Sequence, residues 1–175
     1  MVQNKNSKVI NRRQFIKTST AAGASLILAP HVLKGAKSFG VDDINVALLG
    51  AGAQGQVLMN ACLKIPGIRF KAVCDIWKEY NQKRVYRLLG KYGHKLNAYE
   101  DYREMLANEK DLDAVIVATP DFWHAEHATA CLEAGLNVYC EKEMSNTLEG
   151  AKQIVRAAKK SGKLTYNQKN QYSHF

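Results

Sequence analysis

Acidic residues are missing from the first 40 positions of this 175-residue chain, and that gap accounts for most of its net charge of +9. Seven bases stand in the acid-free leader: Lys5, Lys8, Arg12, Arg13, Lys17, Lys34 and Lys37. The rest of the 25 Lys and Arg face all 16 Asp and Glu, so the body is close to neutral. With no basic stripe in the body, the composition argues against a nucleic-acid partner. Cysteine is scarce as well. The four present, Cys62, Cys74, Cys131 and Cys140, lack CxxC spacing, which indicates neither a zinc site nor a disulfide framework, and no metal is expected. Cys74 and Cys140 fall in apolar runs and Cys62 and Cys131 on apolar helix faces, so they read as small buried hydrophobes. A bridge between scattered cysteines stays open for an exported chain.

A membrane-spanning apolar run is also lacking. Thr18 to Leu33 carries no Asp, Glu, Lys or Arg over 16 residues, short of the ~20 that cross a bilayer as a helix. It fits the apolar core of a signal segment. Arg12-Arg13, followed by Phe15, Ile16 and Lys17, resembles the bacterial twin-arginine export signal, with the export machinery as the implied partner and the periplasm or exterior as the implied destination. No small-x-small cleavage site stands near residues 33 to 38, so removal of the leader is left open. Residues 1–40 are assigned to leader and linker.

What is present from residue 44 onward is an alternation of short apolar runs with amphipathic stretches. INVALLG, FKAVCDI, DAVIVATP and LNVYCEK read as strands, with a weaker one near Leu96 to Tyr99. Helices are predicted over Gln56 to Lys64, Lys78 to Tyr92, Asp101 to Leu106, Asp121 to Glu133 and Thr147 to Lys160. The last of these has Leu148, Ala151, Val155 and Ala158 on one face and Asn146 with Glu149 as a capping box. Strands alternating with helices imply βαβ units and an α/β fold with a doubly wound parallel sheet. Apart from that recurrence there is no repeat and no low-complexity segment.

Three segments carry chemistry. In LLGAGAQGQ, Gly50, Gly52 and Gly55 have GxGxxG spacing directly after a strand and at the opening of a helix. That pattern permits a tight turn, backbone approach to a pyrophosphate and close helix–strand packing. The loop Gly50, Ala51, Gly52, Gln54 and Gly55 is the candidate phosphate cradle, and no acid occurs from Gly52 to Asn60 to oppose an anion at the helix start. Asp75 ends the second strand, where a dinucleotide fold places the carboxylate that takes the ribose hydroxyls. It favours NAD over NADP unless Lys78 or Arg84 swings in. S-adenosylmethionine enzymes combine the same two features. In ATPDFWHAEHA, Thr119 and Pro120 make a turn, Asp121 is placed to cap the next helix, and Trp123 and His124 stand in its first turn, where they would flank a nicotinamide or sugar ring. A packing indole and a surface histidine would look the same, and His127 carries less functional weight.

Together, GAGAQG, VCDIW and ATPDFWHAEHATACLEAGLNVYCEKEMSNTLEGAKQIV resemble the nucleotide-binding half of the Gfo/Idh/MocA oxidoreductases, over about residues 44 to 165. The resemblance implies a Rossmann-like NAD(P)-binding domain over residues 41–168, with the glycine loop and Asp75 as cofactor ligands. It places Thr119 to His124 along the nicotinamide side and the pair Glu141 and Lys142 beside the nicotinamide. The lysine is expected to contact the reacting hydroxyl of a sugar or polyol. Where relatives have proline after that pair, this chain has Glu143. A cis bond before a non-proline residue costs ~2.5–4 kcal/mol, so trans is expected.

The resemblance also implies a C-terminal α/β domain, which supplies most substrate contacts and usually pairs subunits in the family, and TYNQKNQYSHF is read as the point of hand-over to it, with that domain expected to be missing from this chain. Residues 169–175 are expected to begin the hinge to it, with Asn170 near the cofactor, and a homo-oligomer is expected only with that domain present. The implied activity is hydride transfer between a sugar or polyol carbon and tightly held NAD. Export favours a redox-neutral cycle, because no free NAD pool is expected outside the cytoplasm. Redox-assisted glycosidic cleavage and a non-catalytic dinucleotide-binding module stay open as alternatives.

Overall fold

The computed structural model describes residues 43–167. The leader, the hinge residues 169–175 and Asn170 lie outside the described residues. Six strands form one sheet: β1 (Ile44–Leu49), β2 (Ile68–Cys74), β3 (Asn97–Tyr99), β4 (Ala114–Val117), β5 (Asn137–Cys140) and β6 (Thr165–Asn167). Every neighbouring pair is parallel, in the order β3-β2-β1-β4-β5-β6. The direction of winding reverses between β1 and β4, so a crevice opens there beyond the carboxyl ends of the strands.

Period-two alternation sorts each strand's side chains to two cores. Ala47, Leu49, Val115, Val117, Val138 and Cys140 face one side, while Val46, Leu48 and Ile116 face the other. In β2 the register shifts between Val46 and Ala47 of its partner strand, so Phe70 and Val73 share a face although they are three apart. Helices α1 (Ala53–Cys62) and α2 (Lys83–Lys91) cover one side through Met59, Val85 and Leu89. Helices α3 (Tyr102–Asn108), α4 (Asp121–Glu133) and α5 (Leu148–Ser161) cover the other through Met105, Leu132 and Ile154. Cys74, Cys131 and Cys140 are buried and Cys62 is half-buried.

Several boundaries differ from the sequence expectation. Helix α1 starts at Ala53, three residues before Gln56, because Gly52 itself serves as the residue before the first turn. The stretch after β2 opens as a single π-helical turn, Lys78–Gln82, before α2. At α5 the capping residue is Thr147, whose Oγ1 accepts from the Gly150 N–H at 3.1 Å, and Asn146 is exposed. The buried stripe of α5 is Gly150, Ile154 and Ala157. Leu148 and Val155, expected inside, are 72% and 42% exposed. The stripe is rotated because α5 rests closely on α4, where a Cβ on Gly150 would stand 2.9 Å from Ala125 Cβ. Asp121 is the first residue of α4 instead of its cap, which is Pro120. No described helix is long and apolar enough to cross a membrane.

Candidate cofactor site

At the reversal point the chain leaves β1 through Gly50, whose φ of +94° suits glycine. A Cβ there would stand 2.6 Å from the Ala118 carbonyl carbon, so this turn packs against the end of β4. Gly55 is equally constrained, since a Cβ would run into the Gly50 carbonyl oxygen. Gly52 is different: nothing lies within 4 Å of where its Cβ would be. Its missing side chain leaves open space at the start of α1, whose first turn holds no acid and whose first N–H groups have no intrahelical acceptor. A phosphate fits that opening on charge and on access.

The glycine turn and the end of β2 are joined by Asp75. Its Oδ2 accepts from the Ala51 N–H at 2.7 Å, and its Oδ1 accepts from the Trp77 N–H at 2.7 Å. The carboxylate is thereby aimed by backbone donors on both sides and keeps lone pairs for further donors. Lys78, which could have compensated a second negative group, is engaged by Glu100 at 2.7 Å.

A cavity of about 920 Å³ opens over this edge. Gly50, Gly52, Gln54, Asp75, Thr119, Pro120 and Trp123, all singled out from sequence, line it. Trp77, Tyr102 and Phe122, unassigned in the sequence, add aromatic surface, as does His127, which was given less functional weight there. Trp123 and His127 are stacked at 5.5 Å with 10° between ring planes, and Tyr102 meets His127 edge-on at 4.6 Å. The spacing of Trp123 and His127, i and i+4 on one helix, was the available signal that they share a face. His127 Nδ1 lies 3.0 Å from Thr119 Oγ1. Burial pushes the His127 imidazole down to about 4, so it is neutral near pH 7. Tyr102 donates to Glu126 Oε1 at 2.8 Å, and burial followed by that carboxylate raises its phenol to about 12. Cys74, on the cavity floor, is also raised to about 12 by burial first and the Asp75 charge second. Its thiol therefore stays protonated and is a poor nucleophile.

The remaining sequence candidates lie elsewhere. Ala51 and Gly55 are buried beneath the turn. His124 does not stand beside Trp123 at the cavity: it is 1% exposed, with Nδ1 at 2.6 Å from the Glu143 carbonyl oxygen and Nε2 at 2.8 Å from the Thr119 carbonyl oxygen. Glu141, 3% exposed at the end of β5, accepts from Gln54 Nε2 at 2.8 Å and from the Lys142 N–H at 3.0 Å. Its carboxylate is a strut between the glycine loop and β5. Lys142 is exposed just past the strand end. The Lys142–Glu143 peptide is cis, not trans as expected from residue type alone. The contact of the Glu143 carbonyl with His124, 19 positions away, is a tertiary feature that a residue-type argument omits. Among the described residues no group of three or more His, Cys, Asp or Glu is placed to hold a metal ion.

The glycine turn, the open approach at Gly52 and the aimed Asp75 have the arrangement that a dinucleotide site requires. A family model described as an oxidoreductase family with an NAD-binding Rossmann fold, Gfo/Idh/MocA, matches residues 44–168. The chain belongs to that family. Its six-stranded sheet is the NAD-binding Rossmann domain, and NAD is its cofactor. Among curated relatives, a "Glycosyl hydrolase family 109 protein" of Shewanella baltica is 28% identical, covering 88% of this chain and 38% of the relative. An "Alpha-N-acetylgalactosaminidase" of Shewanella oneidensis is 27% identical over the same shares. Among solved structures, the WlbA dehydrogenase of Chromobacterium violaceum, in complex with NADH and UDP-GlcNAcA, superposes with a TM-score of 0.63 at 28% identity. That match covers 73% of this chain and 35% of WlbA. The chain thus spans well under half the length of these Gfo/Idh/MocA relatives.

Proposed function

We propose that this Gfo/Idh/MocA domain serves an oxidoreductase that moves hydride between a sugar or polyol carbon and tightly held NAD. The observation that carries this reading is the cavity in which Gly52 leaves open approach to the α1 N-terminus while Asp75 is aimed by Ala51 and Trp77. NAD, when bound, supplies the hydride acceptor and donor. The α1 first turn would hold the pyrophosphate, and Asp75 would take the ribose hydroxyls in preference to a 2′-phosphate. Trp123, with His127 stacked behind it, would exclude water from the cofactor's face. Lys142, exposed past β5, would present its ammonium to the reacting hydroxyl and stabilise negative charge developing on oxygen.

The curated relatives favour a second reading, redox-assisted cleavage of a glycosidic bond, since they are named as glycosidases. The leader supports action outside the cytoplasm, where a redox-neutral cycle would need no cofactor supply. The test incubates full-length protein, without added NAD, with free sugars, polyols and p-nitrophenyl N-acetylgalactosaminides, followed by mass spectrometry and absorbance at 340 nm. The first reading expects oxidised and reduced sugars in equal amounts. The second expects p-nitrophenol with no net NADH. Purified protein that neither carries NAD nor binds it by calorimetry would sink both.

A further inference from the structure

Lys142 stands between two anchored neighbours. On one side, the Glu141 carboxylate accepts from Gln54 Nε2 at 2.8 Å and from the Lys142 backbone N–H at 3.0 Å. The Glu141 N–H in turn donates to the Val117 carbonyl at 2.9 Å, which continues the β5 ladder up to the lysine. On the other side, the Glu143 carbonyl oxygen lies 2.6 Å from His124 Nδ1, and the opposite ring nitrogen lies 2.8 Å from the Thr119 carbonyl oxygen. A carbonyl oxygen only accepts and a neutral imidazole carries one N–H, so the hydrogen is assigned to the shorter contact, from Nδ1 to the Glu143 carbonyl. The ring is 1% exposed and reaches neither the cavity nor solvent, which removes it from direct contact with a ligand. What it does touch is the turn after β4, which lines the cavity, and the loop after β5, which carries Lys142.

We infer that His124 is a positioning residue for Lys142: it ties the Glu143 carbonyl to the Thr119 turn and so fixes the backbone from which the lysine projects. An exposed lysine has many rotamers, and the fold can restrict where its ammonium goes only by holding its Cα. Glu141 holds it on one side and His124 on the other. A packing role alone would predict that an apolar side chain of similar size serves as well. The donor role predicts that it does not. The inference rests on the reading that Lys142 works beside the nicotinamide, and the experiment separates the two.

The experiment uses the isotopically labelled 175-residue chain with NAD⁺ as the probe, observed by NMR. Four results are expected. His124 Nδ1 carries a hydrogen protected from exchange with water. Saturating NAD⁺ gives cross-relaxation between the Lys142 side-chain methylenes and the nicotinamide ring protons. In His124→Leu those cross-peaks weaken by at least about threefold, while NAD⁺ affinity by calorimetry changes less, because the group lost governs aim and touches no cofactor. In His124→Gln, whose single amide nitrogen reaches one carbonyl, the cross-peaks weaken less than in His124→Leu. If unsubstituted chain shows no Lys142–nicotinamide cross-peaks, the reading of Lys142 fails and takes the inference with it. If they are present and survive both substitutions unchanged, the inference alone fails. A bare Nδ1 in unsubstituted chain also overturns it. Should His124→Leu not fold, the Nδ1 measurement and His124→Gln still decide.

Discussion

The three glycines of the loop have three different physical jobs, and substitution should separate them. Gly52 has open space where a Cβ would go, so Gly52→Val should fold and yet lose NAD affinity, by more than about tenfold, because its side chain would occupy the approach to the α1 N-terminus. Calorimetry together with thermal unfolding checks both halves of that statement. Gly55→Ala should instead destabilise the fold itself, by about 1–3 kcal/mol as an overpacked site, because its Cβ meets the Gly50 carbonyl. Asp75→Ala belongs with Gly52 in its effect on binding, and it also leaves the Ala51 and Trp77 N–H groups without their carboxylate. The spacing of these glycines was legible in the sequence, as was the acid at the end of β2. The open space at Gly52 was not, since it depends on Ala118 and Thr119 crowding Gly50 and leaving Gly52 alone.

Among the elements, α5 is the one whose sequence pattern and structure diverge most. Its apolar residues suggested a stripe through Leu148 and Val155, but close approach to α4 selects the small side of the helix, with Gly150 against Ala125. A helix stripe is a preference of one element, and it yields when two helices can approach more closely on another face. The cap moved by one residue with it. Thr147→Ala should therefore cost about 1 kcal/mol, the usual effect of removing a hydroxyl N-cap, while Asn146→Ala costs little. Urea unfolding of both variants decides, and neither should change NAD affinity, because α5 starts away from the cavity-lining residues. In α4 the pattern is more informative: Ala128 and Leu132, spaced i, i+4, are both buried. Which of Trp123, His124 and His127 faced the cavity was not legible in isolation. Their directions depend on where Thr119, Glu143 and Tyr102 arrive.

At the scale of the whole domain, stability should depend on pH through His127. Burial lowers this imidazole to about 4, below its ordinary 6.5. Between those values the unfolded chain binds the proton and the folded one does not, so stability is full above about pH 6.5 and falls as pH drops toward 4. Thermal unfolding across that window should show the loss, and His127→Gln should flatten the slope. A steeper slope in the variant would contradict the assignment. Ligand linkage acts on the same equilibrium: NAD at a hundred times its Kd should add about 2.7 kcal/mol of apparent stability to the folded domain. Gly52→Val, at about tenfold weaker affinity or worse, should lose about half of that increment or more at the same NAD concentration.

Local chemistry determined the order of strands and helices, the sorting of apolar residues to two faces, the glycine turn and the acid after β2. Each of these follows from residues a few positions apart, through period-two and period-3.6 burial and the steric freedom of glycine. Tertiary structure decided the rest. Gln54 and Glu141 are 87 positions apart, and only closure of the sheet brings the amide onto the carboxylate. His124, which sequence placed at the ligand, is buried beneath the Lys142 loop because the turn after β4 and the loop after β5 converge on it. The cis peptide at Lys142–Glu143 and the stacking of Trp123 on His127 likewise belong to the assembled edge of the sheet. The glycine turn and Asp75 were legible because their geometry is local. The backbone that carries Lys142 is held by contacts that exist only once β1, β4 and β5 lie side by side.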